Sequence, residues 1–272
     1  MLKKIKGKAG NIVRGFRGLY DNRKERYFSV PEGLEEVEIG RSIEGREIFA
    51  YKFGTKAKLK ILFMAGIHGN EIGTVRLMYK LINYLSRNKM NYLGLEIYVL
   101  PCINPDGMAR GIENPDYFKG GRVGRFNASE VDLNRNWKTK NFASRNHWYF
   151  GNRFVPVKCG EKPFSEPESK SLSEFILDRE INVIYSFHSR GKEVMGSIDE
   201  MAQKLTKDFV DKCGYRYVSE DEWIEMNQTG TIKDWCEEHK ISYIEIESAS
   251  RWSSDWQNQA PAIIGAIKYH YG

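Results

Sequence analysis

"LKILFMAGIHGNEIGT", residues 59–74, sets the reading of the whole chain. Leu59 to Ala65 is an apolar run of buried-strand length, and it stops at Gly66. His68 and Glu71 follow, three positions apart among small residues. From Thr74 to Leu85 the apolar side chains Val75, Leu77, Met78, Leu81, Ile82 and Leu85 recur at helical spacing. A strand, a glycine-permitted turn and a helix therefore enclose a histidine and a carboxylate. Taken singly, HxxE is a weak pattern and His68 reads as a turn histidine.

Three further segments have strand character. "LEIYVLP" is a buried strand ended by Pro101, "INVIYSF" runs into His188, and "ISYIEIE" ends at Glu247. In open α/β sheets, sites gather beyond the carboxyl ends of strands. The strands leading to His68 and Glu71, to His188 and to Glu247 thus bring two imidazoles and two carboxylates to one rim. His68 and His188 lie 120 positions apart (188 − 68), so only folding joins them.

The remaining segments complete an α/β pattern. "VEIGRSIEGREIFAYKFG" reads as two short strands around a polar turn at Gly45. Asn104 to Asn136 reads as a long loop, of the kind that is usually functional inside a compact domain. "FSEPES" opens a helix, with Ser165 as its cap and Pro167 in the first turn. Ser197–Cys213, Thr231–His239 and Pro261–Tyr271 read as helices. The predicted architecture is α/β: a mixed, mostly parallel central sheet with helices on both faces.

With 272 residues, 41% hydrophobic and 29% charged, the chain is ordinary for a globular protein with a sizeable core. Its net charge of +6 is uneven: residues 1–26 hold nine Lys/Arg against Asp21 and Glu25, which is +7 and leaves the rest near −1. Residues 1–30 are therefore expected to be a solvated basic arm, and residues 31–272 a single domain. Contact of the arm with an anionic membrane surface is the less favoured reading, and no nucleic-acid partner is expected. The N-terminus lacks the apolar core of a secretory signal, no window reaches membrane-span length, and Cys102, Cys159, Cys213 and Cys236 show no disulfide framework. The expected location is the cytoplasm. The oligomeric state is not legible.

Catalytic zinc sites commonly use three His/Glu/Asp ligands and leave a fourth position for water. His68, Glu71 and His188 would supply that set. On the motifs "IGRSIEGREIFAYKFG", "GIHGNE", "NPDG", "VDLNRNW", "FSEPES", "SFHSRG" and "TIKDW…YIEIES", from about Val37 to the C-terminus, the sequence resembles the zinc metallocarboxypeptidases. In that family, digestive carboxypeptidases and bacterial cell-wall peptide peptidases share a catalytic domain.

The resemblance implies one zinc per chain, held by His68, Glu71 and His188, with Asp132 orienting a ligand histidine. It implies Asn134 and Arg135 as the grip on a substrate's terminal carboxylate, a role suited to the bidentate guanidinium. It implies Arg125 as the arginine polarising the scissile carbonyl, with Arg122 as a rival, and Glu247 as the catalytic glutamate. Glu245 competes for the last role because both alternate to the same strand face. Spacing from the "DW" helix and the position nearest the rim favour Glu247. The digestive members' mobile tyrosine is missing from "WIEMNQTG", where Met226 or Glu225 takes the approximate place, with Trp223 nearby.

The implied activity is zinc-dependent hydrolysis of a peptide or amide bond next to a free C-terminal carboxylate. "SFHSRGKE" and "TIKDW" look more like the bacterial members that cut γ-D-glutamyl–diaminopimelate bonds, so the expected partner is a peptide or muropeptide. Two alternatives stand beside it: a zinc deacylase of N-acyl amino acids, and a non-catalytic peptide- or wall-binding protein that retains the fold. "FKGGRVGR" lacks the ending and context of a phosphate loop.

Overall fold

The computed structural model describes residues 28–55, 57–92, 94–113, 123–150 and 153–271. All but the last three residues of the expected basic arm lie outside the described residues.

The sheet centres on β3 (Lys60–Ala65), the strand that leads into His68 and Glu71. It pairs in parallel with β4 (Glu96–Leu100) on one side and β7 (Val183–Ser189) on the other, and β10 (Ser242–Ser248) pairs in parallel with β7. Both flanks turn antiparallel. The hairpin of β1 (Glu35–Arg41) and β2 (Glu47–Gly54) joins at β4; β8 (Glu193–Gly196) joins β10 and carries β9 (Arg216–Tyr217) beside it. The eight strands run in the order β1-β2-β4-β3-β7-β10-β8-β9, which matches the expected mixed, mostly parallel sheet. A separate hairpin pairs β5 (Arg145–Phe150) with β6 (Arg153–Lys158).

The continuous apolar runs are explained by burial on both faces. Ile61 and Phe63 enter one core with Tyr185, Phe187, Ile244 and Ile246. Leu62 and Met64 enter the opposite core with Ile184, Tyr243, Trp137 and Trp235. Helices α1 (Ile72–Arg87), α4 (Glu200–Cys213) and α7 (Trp256–Tyr271) contribute to the first core. Helices α3 (Pro167–Asp178) and α6 (Ile232–Glu238) contribute to the second. The remaining helices are α2 (Pro105–Glu113) and the short α5 (Glu220–Glu225).

Along the second face, strand alternation has a direct consequence. Ile184, Ser186 and His188 share it on β7, and Tyr243, Glu245 and Glu247 share it on β10. Each series is apolar in the core and becomes polar toward the carboxyl end. Glu247 lies opposite His188, and Glu245 opposite Ser186.

Several local expectations are corrected. The stretch read as a long loop begins with α2, because Asn104 Oδ1 accepts from the Gly107 amide at 2.9 Å and Pro105 takes the first helical position. Its glycines suggested a loop, yet Gly107 is needed for packing: a Cβ there would lie 2.5 Å from Phe126 O. The cap of α3 is Glu166 rather than Ser165, whose hydroxyl accepts from Asn136 at 2.9 Å and donates to Glu166 at 2.7 Å. Helix α7 starts at Trp256, before Pro261, which the helix contains. Thr231 caps α6 in a full capping box with Asp234, at the start of the helix expected over Thr231–His239.

Candidate active site

His68 and Glu71 occupy the turn between β3 and α1. The Glu71 amide donates to His68 O at 3.1 Å, and the Thr74 amide to Glu71 O at 3.0 Å. Gly66 begins the turn at φ +68°, a conformation that side-chain-bearing residues rarely adopt. His188 enters from β7. His68 Nδ1 lies 3.1 Å from Glu71 Oε1, and His188 Nδ1 lies 3.7 Å from Glu71 Oε2. One ligand atom from each of the three falls within 4.8 Å of the other two, and all three residues are buried.

The opposite nitrogen of His68 faces a carboxylate. Nε2 is 3.3 Å from Asp132 Oδ1, which also accepts from the Asn134 amide at 3.0 Å. Asp132 Oδ2 accepts from Arg125 Nη2 at 3.0 Å and Nε at 3.3 Å. This network fixes the His68 tautomer: a proton on Nε2 serves Asp132 and leaves the Nδ1 lone pair pointing at Glu71.

The charges agree with a cation-binding triad. Burial, reinforced by Arg125, drives the His68 pKa well below its ordinary value, and burial also lowers that of His188. Burial, with Glu247 nearby, pushes Glu71 well above the usual carboxylate range. Burial would raise Asp132 as well, but Arg125 and His68 outweigh it and hold Asp132 well below that range. These shifts favour a neutral imidazole beside a protonated carboxyl over an ion pair between His68 and Glu71. Glu71 Oε2 has no hydrogen-bond partner among the described residues, an expensive state for a buried carboxylate. Two imidazole nitrogens and a carboxylate converging on a point fit a zinc ion, with room left on the cleft side.

A second acidic set, His188 with Glu245 and Glu247, also meets within 4.8 Å. It would use the other nitrogen of His188, because Nε2 is 3.7 Å from Glu245 Oε2. Only one imidazole belongs to that set, so the His68 set is the better zinc site.

Glu247 lines the cleft at the end of β10. Burial and then Glu245 push its carboxyl up to about 8. Asn134 and Arg135 lie on a 3-10 turn, Leu133–Arg135. Asn134 Oδ1 accepts from the Ile232 amide at 3.1 Å, which ties the turn to the start of α6. Arg135 is buried, its Nη1 donating to Asn134 O at 2.6 Å and its Nη2 to Gln228 Oε1 at 2.5 Å.

These residues line one cleft of about 310 Å³: His68, Glu71, His188, Arg125, Asn134, Arg135, Glu245 and Glu247 all border it. Asp132 stands behind them, in contact with His68 and Arg125. The rival Arg122 lies outside the described residues. Of the residues weighed in place of the missing tyrosine, Met226 and Trp223 border the cleft, whereas Glu225 is exposed on α5. Sequence reasoning did not single out Arg190, Glu193, Met195, Gln228 and Arg251, which also border it. Arg190 sits in "SFHSRG" and Arg251 four positions past Glu247, so proximity to the motifs was the available signal. His147, His239 and His270 bond elsewhere, to Met226 O, Trp235 O and Tyr185 respectively.

Comparison with known proteins agrees with this geometry. The family model described as zinc carboxypeptidase matches residues 23–269. The catalytic chain of carboxypeptidase N from Rattus norvegicus is 31% identical over 183 residues, covering 61% of this chain and 40% of that protein. The chain therefore spans about two-fifths of that relative's length. Murein peptide amidase A from Escherichia coli K12 is 29% identical over 231 residues, covering 80% of this chain and 81% of that protein. The crystal structure of murein-tripeptide amidase from Escherichia coli O157 superposes with a TM-score of 0.68 at 21% identity, covering 90% of this chain and 95% of that one. Thrombin-activatable fibrinolysis inhibitor superposes with a TM-score of 0.71 at 20% identity, covering 91% of this chain and 70% of that one. The match over nearly the whole length, together with the His–Glu–His cluster at the carboxyl ends of the strands, makes the chain a member of the zinc carboxypeptidase family.

Proposed function

We propose that residues 31–272 form a single catalytic domain that hydrolyses a peptide or amide bond next to a free C-terminal carboxylate, acting on cell-wall-derived peptides such as γ-D-glutamyl-diaminopimelate. The observation that carries this reading is the convergence of three potential zinc ligands, a cleft-lining carboxylate and an Asn–Arg pair in one cavity. His68, Glu71 and His188 would hold the ion, with Asp132 fixing the ring of His68. Bound zinc acts as a Lewis acid and lowers the pKa of coordinated water to about 7.

Glu247 takes the proton from the attacking water and delivers it to the leaving amine. Its position at the strand end, opposite His188, suits that task better than the deeper Glu245. Arg125 offers its guanidinium to the developing oxyanion while anchored on Asp132. Asn134 and Arg135 receive the terminal carboxylate. Arg135 reaches it by exchanging the Gln228 contact for a charge-assisted pair, the stronger of the two.

The cell-wall substrate is supported by the similarity to murein peptide amidase A along four-fifths of both chains. Among the described residues, no helix is long and apolar enough to cross a membrane. The four free cysteines suit a reducing compartment, and the reading places the enzyme in the cytoplasm. A deacylase of N-acyl amino acids would need no grip beyond a single amino acid, and a binding protein would need no base beside the metal cluster.

The test is hydrolysis of L-Ala-γ-D-Glu-meso-diaminopimelate by the full chain loaded with zinc, beside an L-peptide and an N-acetyl amino acid. Release of diaminopimelate is expected. Turnover of the L-peptide alone overturns the substrate assignment, and turnover of the N-acetyl amino acid alone overturns the peptidase reading.

A further inference from the structure

A second groove runs along α1, between that helix and the start of α7. Its volume is about 490 Å³, against about 310 Å³ for the metal cleft, and no residue borders both. Arg76, Lys80, Tyr84 and Arg87 border it from one stripe of α1, spaced so that each lies a helical turn beyond the last. From Arg76 to Arg87 the stripe covers eleven residues (87 − 76), about 16 Å of helix. Trp256 borders the groove from α7, its ring centroid 6.0 Å from that of Tyr84.

The charge of this groove is one-sided. Among the described residues, no Asp or Glu borders it, and the exposed Lys80 and Arg87 form no ion pair. Beyond residue 26 the chain carries a charge near −1, so three cations without a carboxylate are a local concentration. Arg76 is buried and pre-organised: its Nη1 donates to Trp252 O at 3.0 Å, and its guanidinium lies 3.5 Å from the centre of the Trp252 ring. Asn83 Nδ2 donates to Ser29 O and Tyr79 O, both at 2.9 Å, and Asn88 Nδ2 to Tyr84 O at 2.7 Å. Both amides border the groove, and their Oδ1 atoms are left as acceptors for a hydroxyl. The sequence leading into Ser29 adds charge of the same sign, +7 over residues 1–26.

We infer that this groove is a second binding site, apart from the metal cleft, for a small ligand that carries a planar ring between two phosphate groups, a nucleoside bisphosphate in chemical class. The order of residues along the stripe sets that class. Arg76 and Lys80 take one phosphate, Arg87 takes the other, and the pair Tyr84–Trp256 between them takes the ring. A concave site of this volume suits a small molecule better than a flat anionic surface.

The experiment is calorimetric titration of the full-length, zinc-loaded protein with adenosine 3′,5′-bisphosphate, adenosine 5′-monophosphate and inorganic triphosphate, repeated after zinc removal. The bisphosphate is expected to bind roughly tenfold or more tightly than the monophosphate, and more tightly than triphosphate, which has the charge without the ring. Lys80→Ala combined with Arg87→Ala should remove that advantage. Both side chains are exposed, so the double variant should keep the zinc content and melting temperature of the parent. Zinc removal should leave bisphosphate binding unchanged. Binding that requires zinc overturns the inference, because the phosphates then sit in the metal cleft. An affinity for triphosphate equal to or above that for the bisphosphate overturns it too, as does an unchanged affinity in the double variant. Capture of the protein by anionic vesicles or by a single-stranded oligonucleotide, with no binding of the bisphosphate, makes the groove part of a polyanion-binding surface and overturns it as well.

Discussion

Asp132 Oδ1 lies 3.3 Å from His68 Nε2, while Oδ2 of the same carboxylate accepts two bonds from Arg125. One buried side chain thereby couples the geometry of a metal ligand to that of the proposed oxyanion partner. Asp132→Asn keeps the shape but removes the charge that holds the His68 ring. Zinc affinity is expected to fall about 10–100-fold. Competition titration against a chelator measures it, and an unchanged affinity would show that the pair is structural only.

The proton on Glu71 gives a second expectation. Zinc requires a carboxylate there, and burial together with Glu247 holds Glu71 protonated at pH values where an ordinary glutamate is ionised. His68 and His188 are lowered and already neutral near pH 7, so they have no proton to release. Zinc uptake near neutral pH should thus release a proton from the Glu71–Glu247 pair, and affinity should rise with pH through the neutral range. Calorimetry in buffers of different ionisation enthalpy reads the proton directly. Uptake without proton release contradicts the assignment.

Glu247→Gln separates metal binding from proton transfer. Glu247 is outside the His68 cluster, so the variant should retain zinc and fold as the parent does. Loss of a general base costs typically 10²–10⁴-fold in rate, and a fall in kcat of about that size is expected. Metal analysis and steady-state kinetics on one preparation decide it. If kcat is kept, Glu245 becomes the base by elimination.

The sequence made the central sheet and the ligand cluster legible for a physical reason. Strands buried on both faces must be continuously apolar, so the polar residues that end them stand out. His68, His188 and Glu247 each follow such a run. The elements that escaped notice carry weaker signals. Helix α2 is short and holds Gly107 and Gly111, which read as loop but serve close backbone packing. Strand β9 spans only Arg216–Tyr217, and its pairing depends on β8 being present first. The cleft beside Glu245 was half visible: "IEIE" placed two carboxylates on one face, whereas Met195 borders the cleft only once β8 has paired with β10, and Trp223 only once α5 has formed.

Arg135→Lys tests the grip on the substrate's end. A lysine keeps the charge but offers no planar fork, so the bidentate contact with a carboxylate is lost. A charged hydrogen bond contributes about 1.5–3 kcal/mol, which corresponds to a drop in kcat/KM of roughly ten- to a hundredfold. The same substrate with its C-terminal carboxylate converted to an amide should already be poor for the parent, and Arg135→Lys should slow it little further. Equal losses on acid and amide would place Arg135 in a purely structural role.

Gly69, between the two ligands of the first turn, has almost no free space. A Cβ there would lie 2.7 Å from Gly124 O and closer still to the backbone of Gly107 and Met108. None of those atoms is the end of a flexible side chain, so relief requires the turn to move away from α2. That movement displaces His68 and Glu71 together, because Gly69 lies between them and the Glu71 amide bonds to His68 O. Gly69→Ala should therefore lose about 1–3 kcal/mol of stability, as overpacked sites do, and weaken zinc binding as well. Thermal unfolding with and without zinc separates the two effects: the metal should raise the melting temperature of the variant by less than it raises that of the parent. An equal rise in both would mean that the turn absorbs the methyl group without shifting its ligands.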